Sequence, residues 1–139
     1  MRNLILLFLA LAFAASMAAV EPYVPTDAER ARWTMSDLAN WRACFEAYKN
    51  DYGRYPTGTL ADIHDALVPL YADQLPMDDA WGRPWRVQSD GTSYRIVSAG
   101  SDGEFDGKTW SEAARELAYD ADAVAASGSR WLTRAWRQR

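Results

Sequence analysis

Between residues 26 and 53 the apolar and polar positions follow the period of an α-helix. Ala31, Thr34, Leu38, Trp41, Phe45, Tyr48 and Tyr52 recur at steps of three and four, and Arg30, Asp37, Arg42, Glu46 and Lys49 fall on the other side. Pro25-Thr26-Asp27-Ala28-Glu29 opens the run as a capping box, with Thr26 as N-cap and Glu29 reaching back from the third helical position. Gly53 ends it, because glycine takes the left-handed conformation of a helix C-terminus without steric cost, and Pro56 prevents its return. The pattern predicts one helix of about 25 residues, about 38 Å long. A domain of this size cannot bury such a helix along its full length, so its N-terminal part is expected to project or to meet a partner.

The periodicity then changes. Thr59 caps a short helix with Ile63, Leu67 and Leu70 on one side. Residues 76–84 are irregular, with a Trp81-Gly82 turn whose indole is expected to pack on the long helix. Trp85, Val87, Tyr94 and Ile96 alternate with polar residues around Ser89-Asp90-Gly91-Thr92, the pattern of a hairpin with Asp-Gly in its turn. Residues 124–132 read as a second hairpin with Ser-Gly at the tip, and residues 110–119 as a short helix capped by Ser111. No internal repeat is visible. The fold class expected is α+β, a long N-terminal helix packed on a small antiparallel sheet.

Met1-Arg2-Asn3, an apolar run from Leu4 to Ala15, and the small residues Ser16, Ala18 and Ala19 have the layout of a secretory signal peptide. Residues 1–19 are assigned to it, with cleavage after Ala18 or Ala19. The alternative is an uncleaved membrane anchor, since the stretch to Val20 is near the lower limit of ~17 residues for spanning a bilayer. Residues 20–139 make a single domain. The formal net charge of −4 argues against nucleic acid as a partner, because phosphate binding needs a basic surface. Cys44 is the one cysteine, so no internal disulfide forms, and its helical position predicts a buried thiol. The seven tryptophans are read as large core fillers.

Candidate chemistry concentrates in Ser98-Ala99-Gly100-Ser101-Asp102-Gly103-Glu104-Phe105-Asp106-Gly107. Calcium takes six to eight oxygens from carboxylates and carbonyls in a tightly bent loop, and alternate acids among glycines suit that demand. The EF-hand pattern is absent. The same residues also read as a solvated loop whose Asp-Gly pairs form turns. Catalytic readings are weak. A Cys44-His64-Asp set lacks an oxyanion motif, zinc needs more His and Cys than the chain has, and Glu46 and Asp51 sit five apart, a poor acid–base pair. No phosphate loop, dinucleotide fingerprint or nucleophile elbow is present. No enzyme is expected.

Three runs in fixed order carry more information: Asp51-Tyr52-Gly53-Arg54-Tyr55-Pro56, Asp79-Ala80-Trp81-Gly82-Arg83-Pro84-Trp85, and Tyr94 to Gly103. Together they resemble the globular domain of the type II secretion pseudopilins, specifically the major, G-type subunit. The resemblance covers residues 26–106, with a weaker echo at 119–131. It implies a structural role among other pseudopilin-like or secretion-system proteins, and a loop stabilised by calcium. On that resemblance Asp102 is the first carboxylate ligand and the carbonyls of Ala99 and Glu104 are candidates. Asp122 matches the later carboxylate, with Asp120 and Asp106 as rivals. The chain departs from the family in two places. An apparent helix at 110–119 separates the loop from Asp122. The prepilin leader is also missing, since no glycine precedes Gly53 and the first acid is Glu21. The expectation is therefore a pseudopilin head in the periplasm or secreted, with membrane contact only if the N-terminal segment is retained. The alternative is a soluble periplasmic binding module reusing the same head, with Tyr52, Tyr55, Trp85 and Trp110 as an exposed aromatic face for sugars or peptide.

Overall fold

The structure is a computed structural model and describes residues 21–105 and 123–127. Helix α1 spans Asp27–Tyr52, α2 Leu60–Leu67, and strands β1 Arg86–Ser89, β2 Tyr94–Ser98 and β3 Ala123–Ala126 follow. The strands form one antiparallel sheet in the order β1-β2-β3. This is the α+β arrangement of one long helix on a small sheet. No helix among the described residues is long and apolar enough to cross a membrane. The expected helix at 110–119, the far strand of the second hairpin and the leader lie outside the described residues.

Both helices start as the sequence predicts. The Thr26 side chain accepts from the Glu29 N–H at 3.3 Å, and the Glu29 carboxylate accepts from the Thr26 N–H at 2.9 Å. Thr59 and Asp62 repeat the reciprocal pair at α2. Gly53 closes α1 in the left-handed conformation, φ 72°, and its N–H donates to Lys49 O. Helix α2 stops at Leu67, before the cis Val68-Pro69 bond, so Leu70 does not share its apolar side and is 72 % exposed.

The N-terminal half of α1 does not project bare. Ala31, Thr34 and Leu38 are fully buried because the irregular segment 76–85 lies along the helix. The Trp81 indole donates to Asp27 at 3.2 Å, Arg30 donates to Ala80 O at 2.7 Å, and the Ala80 N–H donates to Thr34 Oγ1 at 3.2 Å. Farther along, the Trp41 and Trp85 indoles donate to the same acceptor, Pro76 O, at 3.0 and 2.9 Å. An irregular segment can lie along the helix because its polar groups find partners on the helix itself. Trp33, on the outward side, is 47 % exposed.

The C-terminal half of α1 faces the sheet. Phe45 packs on Tyr94 with centroids 4.4 Å apart, and Tyr55 meets Tyr94 edge-on at 4.7 Å. Tyr94 and Ile96 of β2 point into this core, and β3 offers the small side chains of Ala123 and Ala125, which let the sheet approach the helix closely. Glu46, assigned by spacing to the polar side, is half-buried and accepts from the hydroxyls of Tyr55 and Tyr94. The hairpin tip is built on Asp90, whose Oδ1 accepts from the Thr92 and Ser93 N–H groups, and these bonds hold its carboxyl well below the usual range. Gly91 O accepts from the Tyr55 N–H at 2.9 Å, which pins the tip to the chain leaving α1.

Two outcomes follow from this core. Phe45→Ala removes the ring shared by Trp41, Tyr55 and Tyr94 and should cost about 3–5 kcal/mol in urea unfolding followed by tryptophan fluorescence. Burial, with the Glu46 carboxylate adding to it, pushes the Tyr94 phenol well above its ordinary 10.0. The folded state favours the neutral phenol. Its contribution is thus complete below pH 10.0 and is lost as pH rises toward the folded-state value. Urea midpoints measured from neutral pH upward should fall above that point, and Tyr94→Phe should flatten the decline.

Candidate functional site

The loop after β2 and the turn before β1 meet at one end of the sheet. The turn is organised by Asp79, which is 5 % exposed. Its Oδ1 accepts from the Trp81 and Arg83 N–H groups at 2.9 and 3.0 Å, and its N–H donates to Arg83 O at 2.8 Å. Its Oδ2 accepts from the Ser98 hydroxyl at 2.6 Å, joining the turn to the last residue of β2. A carboxylate this deep is tolerated because each oxygen has donors.

The Arg83 side chain crosses from the turn to the loop. Nη1 donates to Gly100 O and Nη2 to Ser101 O, the latter at 3.1 Å. The Gly100 N–H donates to Ser98 Oγ at 3.3 Å. Gly103, at φ +78°, lies against the guanidinium so closely that a Cβ there would come within 2.7 Å of Arg83 Cζ. Beyond it, Arg86 sits over the Phe105 ring with Cζ 3.6 Å from the centroid.

Of the candidate ligands, Ala99, Asp102 and Glu104 are described, whereas Asp106, Asp120 and Asp122 lie outside the described residues. Ala99 is buried at the start of the loop, and Asp102 and Glu104 are exposed. Asp102 Oδ1 accepts from the Glu104 N–H at 2.9 Å, so one oxygen shapes the loop's own turn. Among the described residues no group of three His, Cys, Asp or Glu could hold a metal ion. The described loop thus presents two exposed carboxylates, Asp102 and Glu104, together with its backbone carbonyls. Strand β3 opens at Ala123 opposite Ser98, which returns the chain to the same end of the sheet as the loop.

The other candidates separate. Cys44 is buried, its thiol is pushed up by burial, and it donates to Tyr71 O at 3.7 Å. His64 bonds Leu75 O at 3.2 Å, so the two groups of the hypothetical nucleophilic set are engaged elsewhere. The exposed aromatic face does not form as expected. Tyr55 and Trp85 are each 3 % exposed, held in the core by the Glu46 carboxylate and Pro76 O, while Tyr52 is exposed and Trp110 lies outside the described residues. Polar tips that find partners at the edge of the core let both rings turn inward, which alternation alone does not reveal.

Sequence reasoning included Ser98 in the candidate loop but passed over Asp79 and Arg83 as the residues that hold it. The available signal was an arginine inside a tight turn and an aspartate opening it, within a run read for its resemblance and its turn and not for a link to the loop. Asp79→Ala should cost about 3 kcal/mol in chemical denaturation, because it strands the Ser98 hydroxyl and two backbone N–H groups. Asp79→Asn, which keeps an acceptor, should cost less.

A family model, type II secretion system (T2SS) protein G, matches residues 24–114, more than half of the chain. Comparisons with curated proteins and with solved structures give no match.

Proposed function

The chain belongs to the type II secretion system protein G family, and from that premise we propose that it is an exported structural subunit that assembles with other secretion-system proteins and performs no catalysis. The observation that carries the reading is the match itself, which spans α1, α2, the Asp79–Arg83 turn and the β1–β2 hairpin with its loop. The engaged state of Cys44 and His64 supports a non-catalytic role. The departure at the N-terminus bears on how assembly is achieved. With the leader cleaved after Ala18 or Ala19, the head acts as a free periplasmic or secreted subunit. With it retained, the head is held at the inner membrane. The binding-module alternative is the weaker reading, because two of the four aromatics it requires are buried.

Calcium at the 99–104 loop is the second part of the proposal. Asp102 and the carbonyls of Ala99 and Glu104 would hold it. The further carboxylate we choose is Asp122, next in the chain to Ala123, over Asp106 and Asp120. The bound ion would supply positive charge to the loop oxygens and tie the loop to the start of β3.

Two measurements test these parts separately. Cysteines introduced at exposed α1 positions such as Trp33 or Asn40 should cross-link to other pseudopilins in cells with an intact secretion system, and deletion of the chain should reduce secretion. Absence of both effects rejects the assembly role. For the ion, a ligand of the native state present at a hundred times its dissociation constant adds about 2.7 kcal/mol. Millimolar calcium should therefore raise the melting temperature by several degrees over chelator, and Asp102→Ala and Asp122→Ala should each abolish the rise. Identical melts in all three proteins reject calcium and leave the assembly role standing.

A further inference from the structure

A loop rich in glycine is costly to hold in one shape, since its backbone has more freedom to lose than other chain segments. The loop at 98–103 nevertheless sits inside a closed circuit of hydrogen bonds. The Ser98 hydroxyl donates to Asp79 Oδ2, and the Arg83 N–H donates to Asp79 Oδ1. The Arg83 guanidinium donates to Gly100 O, and the Gly100 N–H returns to Ser98 Oγ. A second arm of the guanidinium takes Ser101 O. Each link is set by the next, and the circuit runs entirely through this chain's own atoms.

We propose that Arg83 is a built-in cation that holds the loop closed without a metal and so positions Asp102. The argument rests on charge and shape. A guanidinium is permanently charged, has no acceptor, and presents its N–H groups in a planar fork that reaches two adjacent carbonyls at once. It supplies to Gly100 O and Ser101 O the positive partner that a bound cation supplies to loop oxygens elsewhere. The fork is fixed at its base, because the Arg83 backbone is bonded through both N–H and C=O to buried Asp79. It is also fitted at its tip, because Gly103 leaves room where any side chain would meet the guanidinium. Calcium, where it binds, then finds a loop already formed and adds stability to it. Loop closure does not wait for the ion.

Hydrogen exchange of the full chain in chelator, read at the Gly100 and Glu104 amides, tests this directly. Both amides donate within the loop, so both report its opening. The parent protein should show protected loop amides in chelator. Arg83→Gln should speed their exchange at least tenfold while the Phe45 amide of α1 changes less than twofold. Arg83→Lys, a point charge without the fork, should fall between the two. Loop amides that exchange freely in the chelated parent, or that are equally protected in Arg83→Gln, overturn the proposal. The parent measurement stands even where Arg83→Gln does not fold. Adding calcium to the parent addresses the ion separately: further slowing of loop exchange supports the calcium reading, and no slowing counts against it without touching the role of Arg83.

Discussion

The fold depends on one carbonyl. Pro76 O accepts the indole N–H groups of Trp41, from the middle of α1, and of Trp85, from the entry to β1. Each indole brings a large apolar surface into the core together with a polar tip that must be satisfied there. By converging on one acceptor the two rings fix where the irregular segment crosses the helix and where the sheet begins. N-terminal to that point, the inward side of α1 at Ala31, Thr34 and Leu38 is covered by the irregular segment, and C-terminal to it Phe45 faces Tyr94 of the sheet.

That division explains how so small a sheet accompanies so long a helix. Two halves of α1 have different partners of different chemistry. The first half is met by the Ala80 backbone and the Trp81 indole, through Thr34, Arg30 and Asp27. The second is met by stacked aromatics with Glu46 placed among their hydroxyls. The polar contacts of the first half orient and the apolar contacts of the second half stabilise, since burial of aromatic area is the larger favourable quantity.

The same segment that covers the helix also builds the candidate site. Asp79 and Arg83 stand in the stretch between Pro76 and Trp85, so the indole pair positions the turn and the turn positions the loop. For a family member built to assemble, this ties the acidic end of the head to the helix through a short chain of directional contacts. The loop's shape and the helix's covering are thus parts of one structural unit, although they are far apart in sequence.

Local elements were legible in the residues alone. The Thr26–Glu29 box, the Thr59 cap, the Gly53 stop and the Asp90-Gly91 hairpin each depend on contacts within a few residues, and short-range chemistry determines them wherever the chain goes next. The three ordered runs also carried the family and with it the α+β class. What depended on distant partners was not legible. Whether Tyr55 and Trp85 face solvent or core is decided by Glu46 and Pro76, whether Leu70 continues the apolar side of α2 is decided by where that helix stops, and whether the start of α1 stands free is decided by residues 76–85. The pairing of Arg83 with Gly100 and Ser101 joins positions 17 and 18 apart, where no periodicity operates. Sequence patterns record the conformational preference of a segment, and only the tertiary structure decides which polar groups are brought close enough to satisfy one another.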